Sequence, residues 1–165
     1  MKDRVYIKDL KDHVGREVSI SGWVHVRRDQ GKMVFFDLRD MTGKVQCVVL
    51  PSEAKAIEQA KEIRPEWVLH VHGTVVKRPG KNVNEGVLNG DIEFGVKDIE
   101  VLNKAETPPF DITSDTSGVN EDTRLEYRYI DLRSERMQKN IRMRSEFVRL
   151  AREFLFSKMF TEIET

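Results

Sequence analysis

Residues 22–50 read GWVHVRRDQGKMVFFDLRDMTGKVQCVVL, a pattern typical of three short β-strands joined by two tight turns. The turns are predicted at 29–32 and 41–44, where Gly31 and Gly43 would supply the positive φ that hairpins require. Gly22 lies inside the first strand and predicts a bulge or tight bend, which small barrels need at their corners.

Side chains alternate between two faces along each of these strands. In residues 33–40 the alternation turns Phe36 toward the core with Val34 and Leu38, and it leaves Phe35 on the other face. In residues 45–50 it turns Gln46 outward. An outward Phe and an outward Gln near the Arg27–Arg28 pair are suited to stacking a base, reading its edge and holding its phosphate.

Composition restricts the class of protein. The chain has 165 residues, of which 39% are hydrophobic and 34% charged, with a formal net charge of zero. No apolar run approaches the roughly 20 residues of a membrane-spanning helix, and no signal peptide is visible. We therefore expect a soluble, cytoplasmic protein that does not bind a membrane. The single cysteine, Cys47, excludes a disulfide framework and a Cys-rich zinc site, and the spacing of the four histidines predicts no metal site.

The order of elements predicts the fold. Further strands are expected at 67–77 and 91–96, and a short amphipathic helix at 51–63 separates the third strand from the fourth. Five strands with a helix in that position are typical of an OB-fold barrel. A generic β-barrel or an SH3-like fold would leave that helix unexplained.

Three segments follow from these patterns. Residues 1–103 form the OB-fold domain, 104–123 a linker that contains Pro108–Pro109 and lacks sustained periodicity, and 124–165 the helical start of a second domain. Helices are predicted over 125–133 and from 134 to about 158, and a strand begins at Phe160. The long helix has a wide apolar face that needs a partner. We interpret the C-terminus as a cut just inside the second domain.

Five stretches of the sequence resemble the aspartyl-tRNA synthetases of the bacterial type: GWVHVRRDQG, FFDLRDMTGKVQ, VHGTVVKRP, IEFGVKDIEVLNKAETPPF and RLEYRYIDLRSERMQ. The tail, FVRLAREFLFSKMFTEIET, is similar to class II motif 1, a helix and strand that build a dimer interface. The fold class implied is mainly β with a helical C-terminal part, an OB-fold barrel followed by the first helices and strand of a class II catalytic domain.

The resemblance also implies an activity for a longer parent protein. That parent would be an aspartate–tRNA ligase, a homodimer that uses ATP and Mg²⁺ to make aspartyl-adenylate and then esterifies tRNA. This fragment would supply anticodon recognition and part of the dimer interface. It ends before the family's motifs 2 and 3, so we expect that it binds neither ATP nor Mg²⁺, holds no catalytic residue and does not catalyse aminoacylation.

Six residues are assigned to the anticodon by the same resemblance: Arg28, Phe35, Gln46, Arg78, Asn82 and Glu93. Phe35 would stack on the central base, Gln46 would read the edge of that base and Glu93 would accept from a base edge. The two arginines would contact phosphate or a base edge, while Arg27, Lys77 and Lys81 would add general electrostatic attraction. Ordinary roles stay open for all six, such as packing under the N-terminal segment for Phe35, pairing or solvation for the charged residues, and turn chemistry for the Asn.

Alternative functions also stay open. An asparaginyl- or lysyl-type class II synthetase shares the OB fold. A stand-alone OB module could bind single-stranded nucleic acid without chemistry, although it would leave the RYIDLR helix without a purpose. Among aspartyl enzymes, some charge only the Asp tRNA and others also charge the Asn tRNA. Residues 28–32 would bear on this choice.

Overall fold

The computed structural model describes residues 4–164. The chain divides into two compact units, one ending at Pro108 and the other beginning at Pro109, within the segment expected to be a linker. The first unit contains β1 (Glu17–Gln30), β2 (Met33–Asp40), β3 (Gly43–Val49), α1 (Ala54–Glu62), β4 (Val68–Lys77) and β5 (Ile92–Asn103), with 3₁₀ helices at Ile7–His13 and Gly80–Asn82.

The five strands form a closed barrel in the order β1-β2-β3-β5-β4. Strand β4 pairs with β1 and closes the barrel, and all pairs are antiparallel except β3 with β5. Closure gives each strand two neighbours, and the β3–β5 pairing consists of Cys47 with Phe94 and Val48 with Gly95. The helix α1 lies between β3 and β4 in the sequence. The predicted OB-fold topology is confirmed.

The barrel interior is filled by the side chains that the alternation placed inward. Val34, Phe36 and Leu38 of β2 are buried, and so are the inward residues of β3. The aromatic rings of Phe36 and Phe94 lie at the centre, each fully buried. Burial of a side chain of this size stabilises the fold by roughly 1.5–3 kcal/mol. The predicted inward faces of β2 and β3 are therefore confirmed.

The bulge in β1 does not lie at Gly22, as we predicted, but three residues later. Val24 pairs with Leu38 and Val26 pairs with Asp37, so His25 is an extra residue in β1. Gly22 has a different constraint: a Cβ there would lie 2.2 Å from the carbonyl oxygen of Arg39. The glycine is therefore needed for the close approach of β1 to β2.

The two hairpin turns use different chemistry. Gly31 has a φ of 63°, as predicted for the β1–β2 turn. Gly43, predicted to have positive φ, does not adopt it; the residues with positive φ do not include it. The β2–β3 turn is held instead by the Asp40 carboxylate, whose Oδ1 accepts from Thr42 N at 2.7 Å and from Gly43 N at 3.2 Å. The hydrogen bonds of the Asp40 side chain therefore stabilise this turn in place of a positive φ at Gly43.

The second unit is helical. It contains a 3₁₀ turn at Thr116–Gly118, α2 (Glu121–Glu126), α3 (Arg128–Asp131) and α4 (Glu135–Ser157). The single helix predicted over 125–133 is broken at Tyr127, whose ψ of 44° is not helical. The strand predicted from Phe160 is not formed in the described residues 160–164; a strand needs a second strand to pair with. Among residues 4–164, no helix is long and apolar enough to cross a membrane.

Candidate nucleic-acid interface

One outer face of the barrel gathers most of the candidate residues. This outer face consists of Arg28 on β1, Phe35 and Asp37 on β2, Gln46 on β3 and Glu93 on β5. Arg28 lies opposite Phe35, and Asp37 lies opposite Gln46. Gln46 and Glu93 precede Cys47 and Phe94, which pair in parallel register. Opposed residues of paired strands share a face, so the five side chains form a continuous patch across four strands.

Arg28 reaches this face because of the bulge at His25. Upstream of the bulge Val24 points inward, and strict alternation would turn Val26 and Arg28 inward as well. The extra residue shifts the alternation by one, so Arg28 pairs with the outward Phe35 and Arg27 with the inward Phe36. A one-residue shift exchanges the two faces of a strand. The Arg28 side chain is 59% exposed.

Phe35 is half-buried on the outer face, between Arg28 on one side and Val48 on the other. Val48 is itself only 7% exposed although it points outward. A half-buried ring beside a buried neighbour offers a surface on which a base can stack. The structure thus leaves Phe35 free for the predicted role.

Asp37 belongs to this face and was not predicted as a site residue. Its carboxylate lies 3.8 Å from the Arg28 guanidinium, and its residue pairs with Gln46. An acid in this position holds a neighbouring cation close to the sheet. The alternation that placed Phe35 outward also places Asp37 outward, so this signal was present in the sequence.

Gln46 and Arg78 contact one another. Nη2 of Arg78 donates to Oε1 of Gln46 at 3.1 Å, although the two residues lie 32 positions apart in the sequence. The backbone N–H of Arg78 donates to the Asp91 carbonyl at 2.9 Å, which fixes Arg78 at the base of the β4–β5 loop. The structure therefore brings Arg78 to the outer face.

Asn82 is placed differently from the other five candidates. It is exposed and ends the 3₁₀ helix Gly80–Asn82 in the β4–β5 loop. Its backbone N–H donates to the Pro79 carbonyl at 2.8 Å, a turn contact. The structure gives the Asn82 side chain no contact with the outer face among the described residues, so its predicted role stays a prediction.

Arg27 takes a structural role on the opposite side of β1. Its Nε donates to the Ala60 carbonyl at 2.8 Å, and its two terminal nitrogens bind the Asp29 carboxylate. Arg64 likewise donates to carbonyls at the end of α1. Both line a groove of about 850 Å³ beside α1. Arginines bound to the last carbonyls of a helix satisfy groups that the helix itself leaves unpaired.

His25, the extra residue of the β1 bulge, is partly buried. Burial, with the charges of Arg39 and Lys44, lowers the pKa of His25, so its imidazole is neutral at pH 7. Within residues 4–164, no three His, Cys, Asp or Glu side chains are grouped so as to hold a metal ion. The arrangement can stack, donate, accept and attract phosphate; these are the functions of a recognition surface.

Comparison with known proteins agrees with this geometry. Residues 18–102 match the family of OB-fold nucleic acid binding domains, which is more than half of the chain. The chain belongs to this family. Next to the OB-fold domain, residues 120–165 match the tRNA synthetases of class II (D, K and N).

Curated relatives extend the match over both parts of the chain. The chain is 46% identical over 156 residues to an aspartate–tRNA ligase of Staphylococcus carnosus and 48% identical over 157 residues to an aspartate–tRNA(Asp/Asn) ligase of Caldanaerobacter subterraneus. Each alignment covers 94% of this chain and 26% of the relative. The chain thus spans about a quarter of the length of the curated relatives it matches. The resemblance to aspartyl-tRNA synthetases is confirmed.

A solved structure shows the same architecture. A putative aspartyl-tRNA synthetase from Leishmania major has a TM-score of 0.85 and 30% sequence identity to this chain. The comparison covers 100% of this chain and 34% of that one. The OB-fold barrel and the following helices therefore recur together in a synthetase.

Proposed function

We propose that this chain is the anticodon-recognition part of an aspartate–tRNA ligase. The observation that carries the proposal is the patch in which Phe35, Gln46 and Glu93 face the same side of the barrel. A stacking ring, an amide and a carboxylate in one patch suit an unstacked base better than a double helix. Arg28 and Arg78 add positive charge at its margins for the phosphates.

The full-length protein would attach aspartate to tRNA through aspartyl-adenylate, in a reaction that depends on ATP and Mg²⁺. ATP would supply the adenylyl group of that intermediate, with pyrophosphate as the leaving group. This chain alone is proposed to be inactive, and ATP–pyrophosphate exchange by the purified chain would contradict that proposal.

The RNA-binding part of the proposal is tested with the 165-residue chain itself. An RNA stem-loop that carries the aspartate anticodon is titrated with the chain, beside the same stem with a scrambled loop. We expect tighter binding of the aspartate loop, with an affinity that falls as salt is raised. Equal affinity for the two loops would overturn anticodon recognition.

A second candidate function is favoured by the class II match, whose family includes the lysine and asparagine enzymes. Stem-loops with the asparagine and lysine anticodons therefore belong in the same titration. Tighter binding of either one would move the assignment to that enzyme. Similar affinity for the aspartate and asparagine loops would support an enzyme that charges both tRNAs. Equal binding of an unstructured strand would indicate a stand-alone OB module.

We also propose that α4 forms part of a homodimer interface in the parent protein. Phe147 and Phe154 are 72% and 62% exposed on this helix. Large apolar side chains exposed together on one helix mark a contact surface. The cytoplasm remains the proposed location.

A further inference from the structure

The hydrogen bond between Arg78 and Gln46 can run in one direction only, from the guanidinium to the amide. A guanidinium carries hydrogen-bond donors and no acceptor, so the atom that faces it at 3.1 Å must be the amide oxygen of Gln46. The amide group of Gln46 therefore has its NH₂ turned away from Arg78. Among residues 4–164, no hydrogen bond from that NH₂ is formed, which leaves it as the part of Gln46 that can meet a ligand.

Arg78 is held where it can impose this orientation. The backbone N–H of Arg78 donates to the Asp91 carbonyl. This hydrogen bond lies next to Lys77 and Ile92, the last residue pair between β4 and β5. Strand β5 lies between β4 and β3 in the barrel, so the side chain crosses the start of β5 to reach Gln46. The Nε of Arg78 is buried and unbonded among the described residues. A half-buried arginine with a fixed backbone has few alternative positions.

We propose that Arg78 is a positioning residue that makes Gln46 a hydrogen-bond donor and not an acceptor toward the bound base. Gln46 then selects a base that presents a carbonyl at that position, such as O4 of uracil. It disfavours a base with an amino group there, such as N4 of cytosine. The inference rests on the proposed function. It fits the genetic code, since both aspartate codons have adenine in the middle and require uracil at the centre of the anticodon.

Uracil and cytosine at the central position provide the test, because they have nearly the same shape and differ in the polarity of this edge. The 165-residue chain is titrated with two stem-loops that differ only in that base. We expect the wild-type chain to prefer uracil by about tenfold or more. Gln46→Ala should lose much of this preference.

Arg78 variants distinguish positioning from charge. Arg78→Met should lower the uracil preference about as much as Gln46→Ala does, because the freed amide can rotate and present its oxygen to cytosine. In the double variant the preference should fall no further than in Gln46→Ala alone. Arg78→Lys keeps the cation and loses the planar fork, so it should also lose preference while retaining more affinity than Arg78→Met. A melting curve for each variant verifies folding, and Arg78→Lys serves if Arg78→Met does not fold.

Lys81→Ala is the matched control for charge. Lys81 is exposed in the same loop, so its loss should weaken binding of both RNAs equally and leave their ratio unchanged. The proposal is overturned if Arg78→Met and Arg78→Lys keep the wild-type ratio, or if Arg78→Met lowers the ratio further when Gln46 is already alanine. Failure of the wild-type chain to distinguish the aspartate loop from a scrambled loop would instead overturn the proposed function.

Discussion

Phe35 and Phe36 are neighbours in the sequence and lie on opposite faces of β2. Phe36 is fully buried in the barrel, whereas Phe35 is half-buried on the outer face. The same residue type therefore has two different physical roles one position apart. This contrast permits a paired test of core and recognition surface.

We expect Phe35→Ala to weaken binding of the aspartate stem-loop by about 1–3 kcal/mol, the usual contribution of one base–aromatic stack, with little change in melting temperature. Phe36→Ala should instead lower the free energy of unfolding by about 3–5 kcal/mol, because it leaves a cavity in the core. RNA titration and thermal melting of both variants measure the two effects. A large drop in melting temperature for Phe35→Ala would show that this ring is core and not surface.

Because of Cys47, the free energy of unfolding should decrease at alkaline pH. Burial, with the nearby charge of Asp37, raises the pKa of its thiol well above the usual range. In the unfolded chain the thiol ionises near pH ~8.5, whereas in the folded chain it stays protonated. The stability that the protonated Cys47 thiol contributes is therefore fully present below the thiol pKa of the unfolded chain. It is lost as the pH rises from that value toward the thiol pKa of the folded chain.

The measurement is urea unfolding of the wild type and Cys47→Ala at pH 7 and at pH 9.5. Above pH ~8.5 the wild type should lose stability faster than the variant, with a difference of at most about 1.4 kcal/mol per pH unit. Other groups titrate equally in both proteins and cancel in the comparison. Parallel losses in the two proteins would contradict the assignment.

At the scale of elements, α2 and α3 are too short to be stable alone. Helices of this length form only when tertiary contacts support them. Asp131, fully buried at the end of α3, supplies these contacts. Its carboxylate accepts from Thr116 Oγ1 at 2.9 Å and from Arg128 Nη1 at 2.7 Å, with Arg124 at 4.0 Å. This is the Asp of the RYIDLR block, and its role in the structure is to join the 3₁₀ turn to both helices.

We expect Asp131→Ala to destabilise the second unit by about 1.5–3 kcal/mol, because the buried Thr116 hydroxyl and Arg128 lose their charged acceptor. Hydrogen exchange of the amides in residues 116–134 reports this loss locally. Glu126→Ala, an exposed carboxylate in the same segment, is the matched control and should change stability by no more than about 0.5 kcal/mol. Unchanged protection in Asp131→Ala would remove Asp131 from this role.

Side-chain alternation alone predicts the two faces of β2 but not those of β1. Alternation was enough to place Phe36 and Phe35 on opposite faces of β2, because β2 pairs regularly along its length. Alternation alone would misplace the downstream residues of β1, because the bulge at His25 exchanges the two faces there. A bulge depends on the register between two strands, so no single residue of β1 predicts it. Gly22, where the bulge is predicted, instead allows β1 to lie close to the Arg39 carbonyl of β2.

At the scale of the whole molecule, the long helix α4 carries large exposed apolar side chains, among them Phe147 and Phe154. Among the described residues of α4, none is buried. A helix with an apolar face and no cover normally acquires a partner. The homodimer proposed for the parent protein supplies one.

We expect the purified chain to self-associate in sedimentation velocity at micromolar concentration, and the double variant Phe147→Lys, Phe154→Lys to sediment as a monomer. The reason is that burial of two phenylalanine rings is lost and charge is introduced. Glu153→Lys adds positive charge to the polar side of the same helix and should leave the association intact. A wild-type chain that stays monomeric at all concentrations would contradict association through α4 alone.

Local sequence was sufficient for the barrel, the helix between its third and fourth strands, the outward Phe35 and Gln46, and the resemblance to a synthetase. These features depend on side-chain alternation and on short motifs, and both act between residues close in the chain. The contact between Arg78 and Gln46, 32 positions apart, was not available from the same pattern. It exists because β3 and β5 pair in parallel and bring the base of the β4–β5 loop beside β3, an arrangement that only closure of the barrel produces.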